Sequence, residues 1–465
     1  MQDFLHEIKK DANELKKHNT ELIKVISHLD ADGLSSSAII TRALTRGGFK
    51  FSLATVRQLD DFLFDELSRE NFSTLIFLDL GSGSIKQIEE RFKNRTIYIL
   101  DHHKPQDHKP KNATVINPHY YNIDGSKEIS GAGIAYLFAK ALDSANIDMA
   151  HIAILGAIGD MQENNGFHSD LNNFILEDAI NSGKIEVKIG LRMFGMQTRP
   201  INKVLEYTTD PYIPGVSGNE LGTKKFLEEI GLNFVENGKY KKLVNLTDEE
   251  MKKLVTGIIL RRIGSEEKPD DVLGKVYLLV EEEDENPLKD AKEFSTLLNA
   301  CGRLNKPSVG IGCCLGDKKS KEEAIILLLD YKREIINSLN WFYANKNKFI
   351  EGPGYLIINA EDNIKDTMIG TIGSLISKNS MYKEGTIIIT MAYTIDGNIK
   401  ASLRTVGKTK KDLMAITKTI VTKVGGIGGG HKYAAGALIP LDKEKEFIEA
   451  TKEVLKAGIM EKTIE

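Results

Sequence analysis

The feature that most constrains the fold is a series of short apolar segments separated by stretches with helical spacing, within about the first 160 residues. Thr74–Leu80 (TLIFLDL) and Thr96–Asp101 (TIYILD) are almost wholly apolar, as strands buried on both faces of a parallel sheet are. Leu22–Ser27 and Phe49–Val56 indicate two further strands, and a helix is expected from about Ser35. Repeated β-α-β units predict an open parallel sheet with helices on both faces, which binds ligands beyond the carboxyl ends of its strands.

The rest of the 465-residue chain indicates further domains. Residues 131–160 have a helical pattern, and a long helix is expected over roughly Lys319–Asn345. Strand and helix patterns alternate again from Gly354 to the end. We therefore predict a first domain in residues 1–190, an inserted domain in 191–290, a return to the first domain with a connector helix in 291–345, and a C-terminal α/β domain in 346–465.

Composition excludes several classes of protein. The 62 basic and 66 acidic residues give a net charge of −4, which argues against a chain coated in basic charge but leaves room for local basic patches. The three cysteines, Cys301, Cys313 and Cys314, form no CxxC motif and are too few for a disulfide framework or a zinc finger. The first residues interleave charged with apolar side chains, unlike a secretory signal, and no apolar run is long enough to span a bilayer. We expect a cytoplasmic protein with no membrane partner.

Acidic and histidine-bearing motifs follow four apolar segments of the first domain. They are SHLDADG with His28, Asp30 and Asp32, IFLDLGSG with Asp79, YILDHHKP with Asp101, His102 and His103, and ILGAIGDMQ with Asp160. Because the carboxyl ends of parallel strands share one edge of the sheet, these side chains are expected to converge. Several carboxylates placed together repel one another unless a cation compensates, and carboxylates with one or two histidines suit Mn²⁺ or Mg²⁺. A pair of such ions can clamp a phosphate and generate a hydroxide, so the motifs favour metal-assisted phosphoester hydrolysis.

Each motif alone has an ordinary structural explanation. A single aspartate after a strand is usually a turn residue or a helix cap, and two adjacent histidines are most often surface residues. The joint occurrence of four such motifs at the ends of apolar segments is hard to explain by capping alone.

Two regions outside this cluster could hold phosphate. In Gly425–Ala437 (GGIGGGHKYAAGA) the glycines allow several backbone N–H groups to face an anion next to a helix start, although a flexible glycine loop is an equally ordinary reading. Arg404 on the preceding strand offers a bidentate phosphate partner, and it could also be a solvated charge. Asn299 and Arg303 lie in LLNACGRLNKP, where a helix end and a glycine turn are the alternative; Cys301 there is expected to be a small buried hydrophobe.

The combination of motifs resembles the DHH phosphoesterase superfamily, named for the tripeptide matched by Asp101–His103. Within it the chain is similar to the RecJ-type single-strand exonucleases, especially archaeal forms that include the GINS-associated nuclease. The matching motifs are SHLDADG, FLDLGSGS, LDHHKP, GAIGDMQEN, LLNACGRLN and GGGHKYAAG, in that order. The resemblance implies an α/β fold: an N-terminal DHH domain with a parallel sheet flanked by helices, an inserted domain, a long connector helix and a smaller C-terminal α/β DHH-associated domain.

The resemblance also implies roles for individual residues. The metal ligands would be Asp30, Asp32, Asp79 (bridging two ions), His102 and Asp160. His103 would approach the scissile phosphate, and Asp101 would support the histidine pair. Substrate contacts would come from Asn299, Arg303, Arg404, Gly428, Gly429, Gly430 and His431. Many members carry a ligand histidine four residues before the first aspartate; here that position is Ile26, and His28 lies two residues before Asp30.

These observations lead to one expected function with two alternatives. The leading interpretation is a metal-dependent exonuclease acting on single-stranded DNA or RNA with two divalent ions, Mn²⁺ foremost and Mg²⁺ possible, and with GINS or other replication proteins as partners implied by the resemblance. One alternative is a phosphodiesterase of the same superfamily for oligoribonucleotides or cyclic dinucleotides, although the inserted domain favours a longer substrate. The other is a non-catalytic replication scaffold, which loss of a metal-binding aspartate would signal; none is lost.

Overall fold

The computed structural model describes residues 1–18, 22–378, 381–407 and 411–460, with the side chains of His18, His431 and residues 457–460 outside the description. The chain divides into two compact units, Met1–Leu328 and Leu329–Glu465, which are described separately below. Among the residues described, no helix has the length and apolar character needed to cross a membrane.

Helices and strands alternate through the first unit. Its helices are α1 (Gln2–Leu15), α2 (Ala31–Arg46), α3 (Asp61–Arg69), α4 (Ile85–Arg91), α5 (Gly131–Leu142), α6 (Ala150–Gly159), α7 (Asp170–Asn181), α8 (Ile201–Tyr207), α9 (Glu220–Glu229), α10 (Asp248–Arg262), α11 (Ala291–Arg303) and α12 (Pro307–Cys314). Its strands are β1 (Leu22–His28), β2 (Lys50–Val56), β3 (Thr74–Leu78), β4 (Thr96–Leu100), β5 (Ala113–Ile116), β6 (Ile185–Leu191), β7 (Val235–Glu236), β8 (Lys239–Tyr240) and β9 (Leu273–Leu279). The long helix α13 (Lys318–Ala344) begins in this unit and ends in the next.

The first five strands form a parallel sheet in the order β2-β1-β3-β4-β5. Helices α3 and α4 cover one face, where Phe64 and Ile88 pack with Phe77 and Ile99 of the central strands. Helices α2 and α5 contact the strands from the other face, and Tyr98 of β4 meets Phe138 of α5 with ring centroids 6.2 Å apart. The predicted open parallel sheet with helices on both faces is therefore confirmed. It ends in an edge strand, β5, that the sequence reading did not include.

Helix α2 begins earlier than expected. The sequence pattern predicts a start near Ser35, but the helix begins at Ala31, directly after Asp30. The Asp30 side chain caps the helix by accepting a hydrogen bond from Gly33 N at 3.0 Å, which satisfies a backbone donor that the first turn leaves open. As a result, Asp32 lies inside the first turn of α2 and not in a loop.

The segment between α7 and α11 builds a core of its own. Strands β6 and β9 pair antiparallel along their full length, and helices α8, α9 and α10 pack nearby. Phe226, Leu254, Ile258 and Val272 are at most 1% exposed and belong to this core.

The second unit is a mixed sheet covered by helices. Its strands are β10 (Ile350–Gly352), β11 (Tyr355–Asn359), β12 (Ile387–Tyr393), β13 (Asn398–Thr405), β14 (Ile427–His431) and β15 (Ala434–Pro440), in the sheet order β10-β11-β12-β13-β15-β14. Only β11 and β12 pair in parallel among these strands. Its helices are α14 (Asp366–Ser377), α15 (Leu413–Val424) and α16 (Glu444–Met460).

The glycine-rich segment of this unit corrects one expectation. We expected Gly428–Gly430 to form an anion-holding loop beside a helix start, but these residues lie in β14, an edge strand paired antiparallel with β15. Helix α15 ends before the segment, so its C-terminus and not an N-terminus is the nearer helix end along the chain. Any backbone N–H groups that bind a phosphate here would belong to the outer edge of strand β14.

Candidate metal centre

The carboxyl edge of the parallel sheet gathers the acidic and histidine motifs. His28 ends β1, Asp79 directly follows β3, and His102 lies two residues after β4. Asp32, in the first turn of α2, and Asp160, directly after α6, reach the same cluster. The convergence follows from topology, because parallel strands end on one edge while the helices that return between them start there.

Asp79 lies at the centre of the cluster and is nearly inaccessible, with 2% of its surface exposed. Its backbone is left-handed (φ 58°), an unusual conformation for a residue other than glycine, and its N–H donates to Leu100 O at 2.9 Å. One carboxylate oxygen is 3.5 Å from His28 Nδ1 and the other is 3.2 Å from His102 Nε2. Neither oxygen makes a hydrogen bond of good geometry with the described residues. A buried carboxylate without such donors is unfavourable unless something else compensates its charge.

His102 is oriented by a backbone carbonyl. Its Nδ1 is 2.7 Å from Gly125 O, so Nδ1 carries a proton and Nε2 faces the carboxylates. Nε2 is 3.1 Å from Asp160 Oδ2 and 3.7 Å from Asp32 Oδ2. Burial would lower the pKa of His102, but the negative charge of Asp160, followed by that of Asp79, raises it well above its usual value. The ring therefore behaves as a cation between acids in the absence of another positive charge.

Asp32 is held by the start of α5. Its two oxygens accept backbone hydrogen bonds from Gly131 N at 2.6 Å and Ala132 N at 2.9 Å. Burial raises the pKa of Asp32 well above its usual range, and the charges of Asp79 and Asp160 raise it further. The site therefore contains more negative charge than it can hold in ionised form without a cation.

His28 and Asp30 form the outer side of the cluster. His28 Nδ1 is 3.1 Å from Asp30 Oδ2. Burial would raise the pKa of Asp30, but the charge and hydrogen bond of His28 bring it well below the usual range, with a smaller contribution from Arg303. Asn299 positions the same segment, because its Oδ1 accepts a hydrogen bond from Ala31 N at 3.1 Å. The structure thus brings Asn299 and Arg303 of α11 to the cluster, although they are far away in the sequence.

Asp101 organises the second histidine and not the carboxylate centre. It is 1% exposed and accepts hydrogen bonds from Ser82 N at 2.8 Å and from His103 N at 3.1 Å. His103 Nδ1 lies 2.8 Å from the same carboxylate. Burial would lower the pKa of His103, but the charge of Asp101 raises it above its usual value. The His103 side chain is 42% exposed. Its ring is therefore oriented by Asp101 through Nδ1 and lies on the solvent-accessible side of the cluster.

The residues fit a divalent cation. Three overlapping groups each place one ligand atom per residue within 4.8 Å of one another: Asp79 with Asp101, His102 and His103; His28 with Asp30 and Asp79; and Asp32 with His102 and Asp160. The buried Asp79 oxygens and His102 Nε2, which have no hydrogen-bond partner among the described residues, are the atoms that a cation would satisfy. Carboxylate oxygens with imidazole nitrogens are ligands for Mn²⁺ or Mg²⁺.

Sequence reasoning missed the backbone groups that build this centre. Gly131 has no side chain because a Cβ there would stand 2.8 Å from the Asp79 Cβ and 2.9 Å from Asp32 Oδ2. A Cβ at Gly156 of α6 would stand still closer to Asp32, 2.4 Å from its Oδ1. Gly125 supplies the carbonyl that orients His102. The only signal in the sequence was the pair of glycines at the head of α5, which otherwise resemble ordinary helix-packing residues.

The remaining candidate residues belong to the second unit. Arg404 of β13 donates from Nε to Ser374 Oγ at 2.8 Å and from Nη1 to Leu403 O at 2.8 Å, so its guanidinium is held in place by neighbours. Gly428, Gly429 and Gly430 lie in β14, as described above, and His431 ends that strand with its side chain outside the described residues.

Comparison with known families finds three domain models along the chain. They are the DHH family N-terminal domain at residues 22–159, the DHH-CID domain at 193–273 and the DHHA1 domain at 353–457. The uncharacterized protein MJ0831 of Methanocaldococcus jannaschii is 32% identical over 98% of this chain and 99% of its own length.

Among solved structures, the fold is similar to CDC45 from Entamoeba histolytica (TM-score 0.66, 12% identity, 97% of this chain and 99% of that one). It is also similar to RecJ from Thermus thermophilus in complex with Mn²⁺ (TM-score 0.59, 15% identity, 97% of this chain). The chain spans only 55% of that RecJ. The domain models show that the chain belongs to the DHH superfamily, with a DHH domain, an inserted CID domain, a C-terminal DHHA1 domain and a RecJ-like fold.

Proposed function

We propose that the protein is a metal-dependent exonuclease that hydrolyses phosphodiester bonds of single-stranded DNA or RNA. The observation that carries the proposal is the buried cluster in which Asp79 and His102 present atoms without hydrogen-bond partners to one another and to Asp32 and Asp160. A site so rich in uncompensated acid makes a poor structural core and a good holder of divalent ions.

Asp30, Asp32, Asp79, His102 and Asp160 would hold two divalent ions, with Asp79 between them and His28 as a further ligand. Such ions supply a hydroxide nucleophile and neutralise charge on the attacked phosphate. His103, oriented through Nδ1 by Asp101, would contact an oxygen of the scissile phosphate. Mn²⁺ is our first choice of metal because the ligand set mixes carboxylates with imidazole.

The second unit would hold the rest of the strand. Arg404 and the edge strand β14, with Gly428–His431, would contact phosphates away from the cleavage point, and Asn299 with Arg303 would contact phosphate near it. The domain limits 1–190, 191–290, 291–345 and 346–465 remain a prediction, as do GINS-type replication partners and a cytoplasmic location.

The likeness to CDC45 does not distinguish a nuclease from a scaffold, because at 12% identity it shows only the fold. The side chains favour a nuclease, since all the aspartates expected as ligands are present and buried or half-buried around Asp79.

Cleavage of strands of increasing length tests the proposal. We expect kcat/KM to rise from dinucleotides to strands of about six or more nucleotides and then to level off, because each further phosphate contact adds affinity until all the phosphate-binding residues are occupied. End-labelled DNA and RNA strands of about two, four, eight and twelve nucleotides in Mn²⁺ provide the comparison, with blunt duplex expected to be poor.

Asp79→Ala serves as the inactive control, and Asp284→Ala, an exposed aspartate after β9, as the matched active one. If the dinucleotide is the best substrate, the exonuclease proposal is wrong and the oligoribonuclease alternative takes its place. If no strand is cleaved in a metal-dependent way, the non-catalytic scaffold is the remaining alternative.

A further inference from the structure

The chain makes a sharp turn directly after the candidate ligand Asp160. Helix α6 ends at Gly159, and the turn is closed by hydrogen bonds from Met161 N to Ile158 O at 3.0 Å and from Gln162 N to Ala157 O at 2.9 Å. Met161 occupies the left-handed position of this turn, with φ 57°. Helix ends of this kind usually carry glycine or asparagine there, because other side chains strain the backbone.

Both sequence neighbours of Met161 lie close to groups that contact or orient His102. On one side, Asp160 Oδ2 is 3.1 Å from His102 Nε2. On the other, Gln162 Nε2 donates to Gly125 O at 2.9 Å, and that carbonyl also holds His102 Nδ1 at 2.7 Å. Met161 is therefore the apex of a turn whose preceding residue, Asp160, belongs to the candidate metal cluster and whose following residue shares the Gly125 carbonyl with His102.

The Met161 side chain has no role in packing. It is 80% exposed, whereas Gln162 beside it is 7% exposed and is further held by Asn172. An exposed apolar side chain on a strained backbone does not stabilise the fold, and glycine at this position would remove the strain. Strained residues that persist beside a reactive centre point to a function there.

We propose that Met161 packs against the nucleobase next to the scissile phosphate and so positions the terminal nucleotide over the metal centre. This inference rests on the proposed function. It adds a contact to the base, a part of the substrate that the metal ions and the phosphate-binding residues do not contact. An unbranched thioether adapts to any flat ring face, so the contact would hold the base without selecting its sequence.

The test compares Met161→Gly with the wild type on two single strands. One strand is unmodified, and the other carries abasic nucleotides on both sides of the bond that the wild type cuts first. We expect kcat/KM on the unmodified strand to fall by about 2- to 10-fold in the variant, with the loss disappearing on the abasic strand. We also expect Tm to rise by about 1–2 °C, because glycine relieves the strained backbone. Met161→Asn, which tolerates the left-handed position but lacks the apolar contact, should show the same base-dependent loss.

Asn237→Gly removes another left-handed residue from the exposed turn between β7 and β8 and serves as the control for glycine substitution, with unchanged cleavage. The inference is overturned if Met161→Gly cuts the unmodified strand as fast as the wild type, or loses equally on both strands. It is also overturned if Met161→Asn keeps wild-type cleavage while Met161→Gly does not, since the loss would then reflect backbone freedom. A wild type that cuts neither strand fails the proposed function itself, and the contact to a base fails with it.

Discussion

Replacing Glu89 with glutamine should measure how strongly one buried carboxylate holds the loop between β4 and β5. Glu89 is 6% exposed, and one of its oxygens accepts from Lys111 N and Asn112 N at 2.6 Å and from Ala113 N at 3.0 Å. Its other oxygen is 2.8 Å from His108 Nε2. The loop so held begins at the histidine pair, so its anchoring matters to the candidate metal centre as well as to the fold.

The size of the effect follows from the pKa. Burial would raise the pKa of Glu89, but the Asn112 N–H, His108 and the Lys111 N–H together lower it from 4.5 to about 2. A difference of about 2.5 pH units corresponds to about 3 kcal/mol. Because the folded pKa lies below the unfolded one, this stabilisation is present in full above pH 4.5 and is lost as the pH falls towards 2. We expect Glu89→Gln to lower the free energy of unfolding at pH 7 by about 2–3 kcal/mol, since an amide keeps one acceptor and loses the charge.

Urea denaturation of both proteins at pH 7 and at pH 3–4 measures the difference. Glu90→Gln, an exposed neighbour on the same helix, is the matched control and should change stability by less than about 0.5 kcal/mol. The reasoning is refuted if Glu89→Gln is as stable as Glu90→Gln at pH 7, or if the gap between wild type and Glu89→Gln widens as the pH falls.

Three further predictions concern the two candidate binding regions. Asp101→Asn should lower kcat by about 100-fold or more in the cleavage assay, while Mn²⁺ binding by calorimetry persists, because Asp101 orients His103. Gly131→Ala should weaken Mn²⁺ binding by at least about 10-fold with an unchanged circular dichroism spectrum; normal affinity would mean that the crowding beside Asp79 is readily relieved. Arg404→Ala should leave Mn²⁺ binding intact but weaken oligonucleotide binding and flatten the slope of log affinity against log salt by about 0.7 per lost contact; an unchanged slope would make Arg404 a structural residue.

The parallel sheet could be predicted because its signal is strong and local. The strands around Leu75 and Ile97 are apolar on both faces, and a polar residue marks the end of each. Topology then makes residues such as Asp79 and His102 neighbours without any knowledge of side-chain contacts. The pattern around the candidate centre was therefore readable, and the structure brings those side chains together.

What the sequence could not supply depends on contacts between distant segments. The start of α2 was misplaced because Asp30 acts both as a helix cap and as a member of the cluster, and only the capping bond to Gly33 N shows it. The sequence of β14 indicates a loop because a run such as Gly428–Gly430 has no side chains to mark a strand, whereas its pairing with β15 makes it one. Hydrogen bonds from backbone groups such as Gly131 N cannot be predicted from the type of residue, because every residue except proline has the same N–H.

Counting the Mn²⁺ ions bound by Asp79→Ala tests the central claim most directly. Asp79 lies between the group of His28 and Asp30 and the group of His102, so a carboxylate there would serve both ions. Calorimetric titration of the wild type should give two Mn²⁺ per chain, and Asp79→Ala should bind neither tightly, while Asp284→Ala binds both. Two ions retained by Asp79→Ala, or none bound by the wild type, would contradict a two-metal centre at the edge of this sheet.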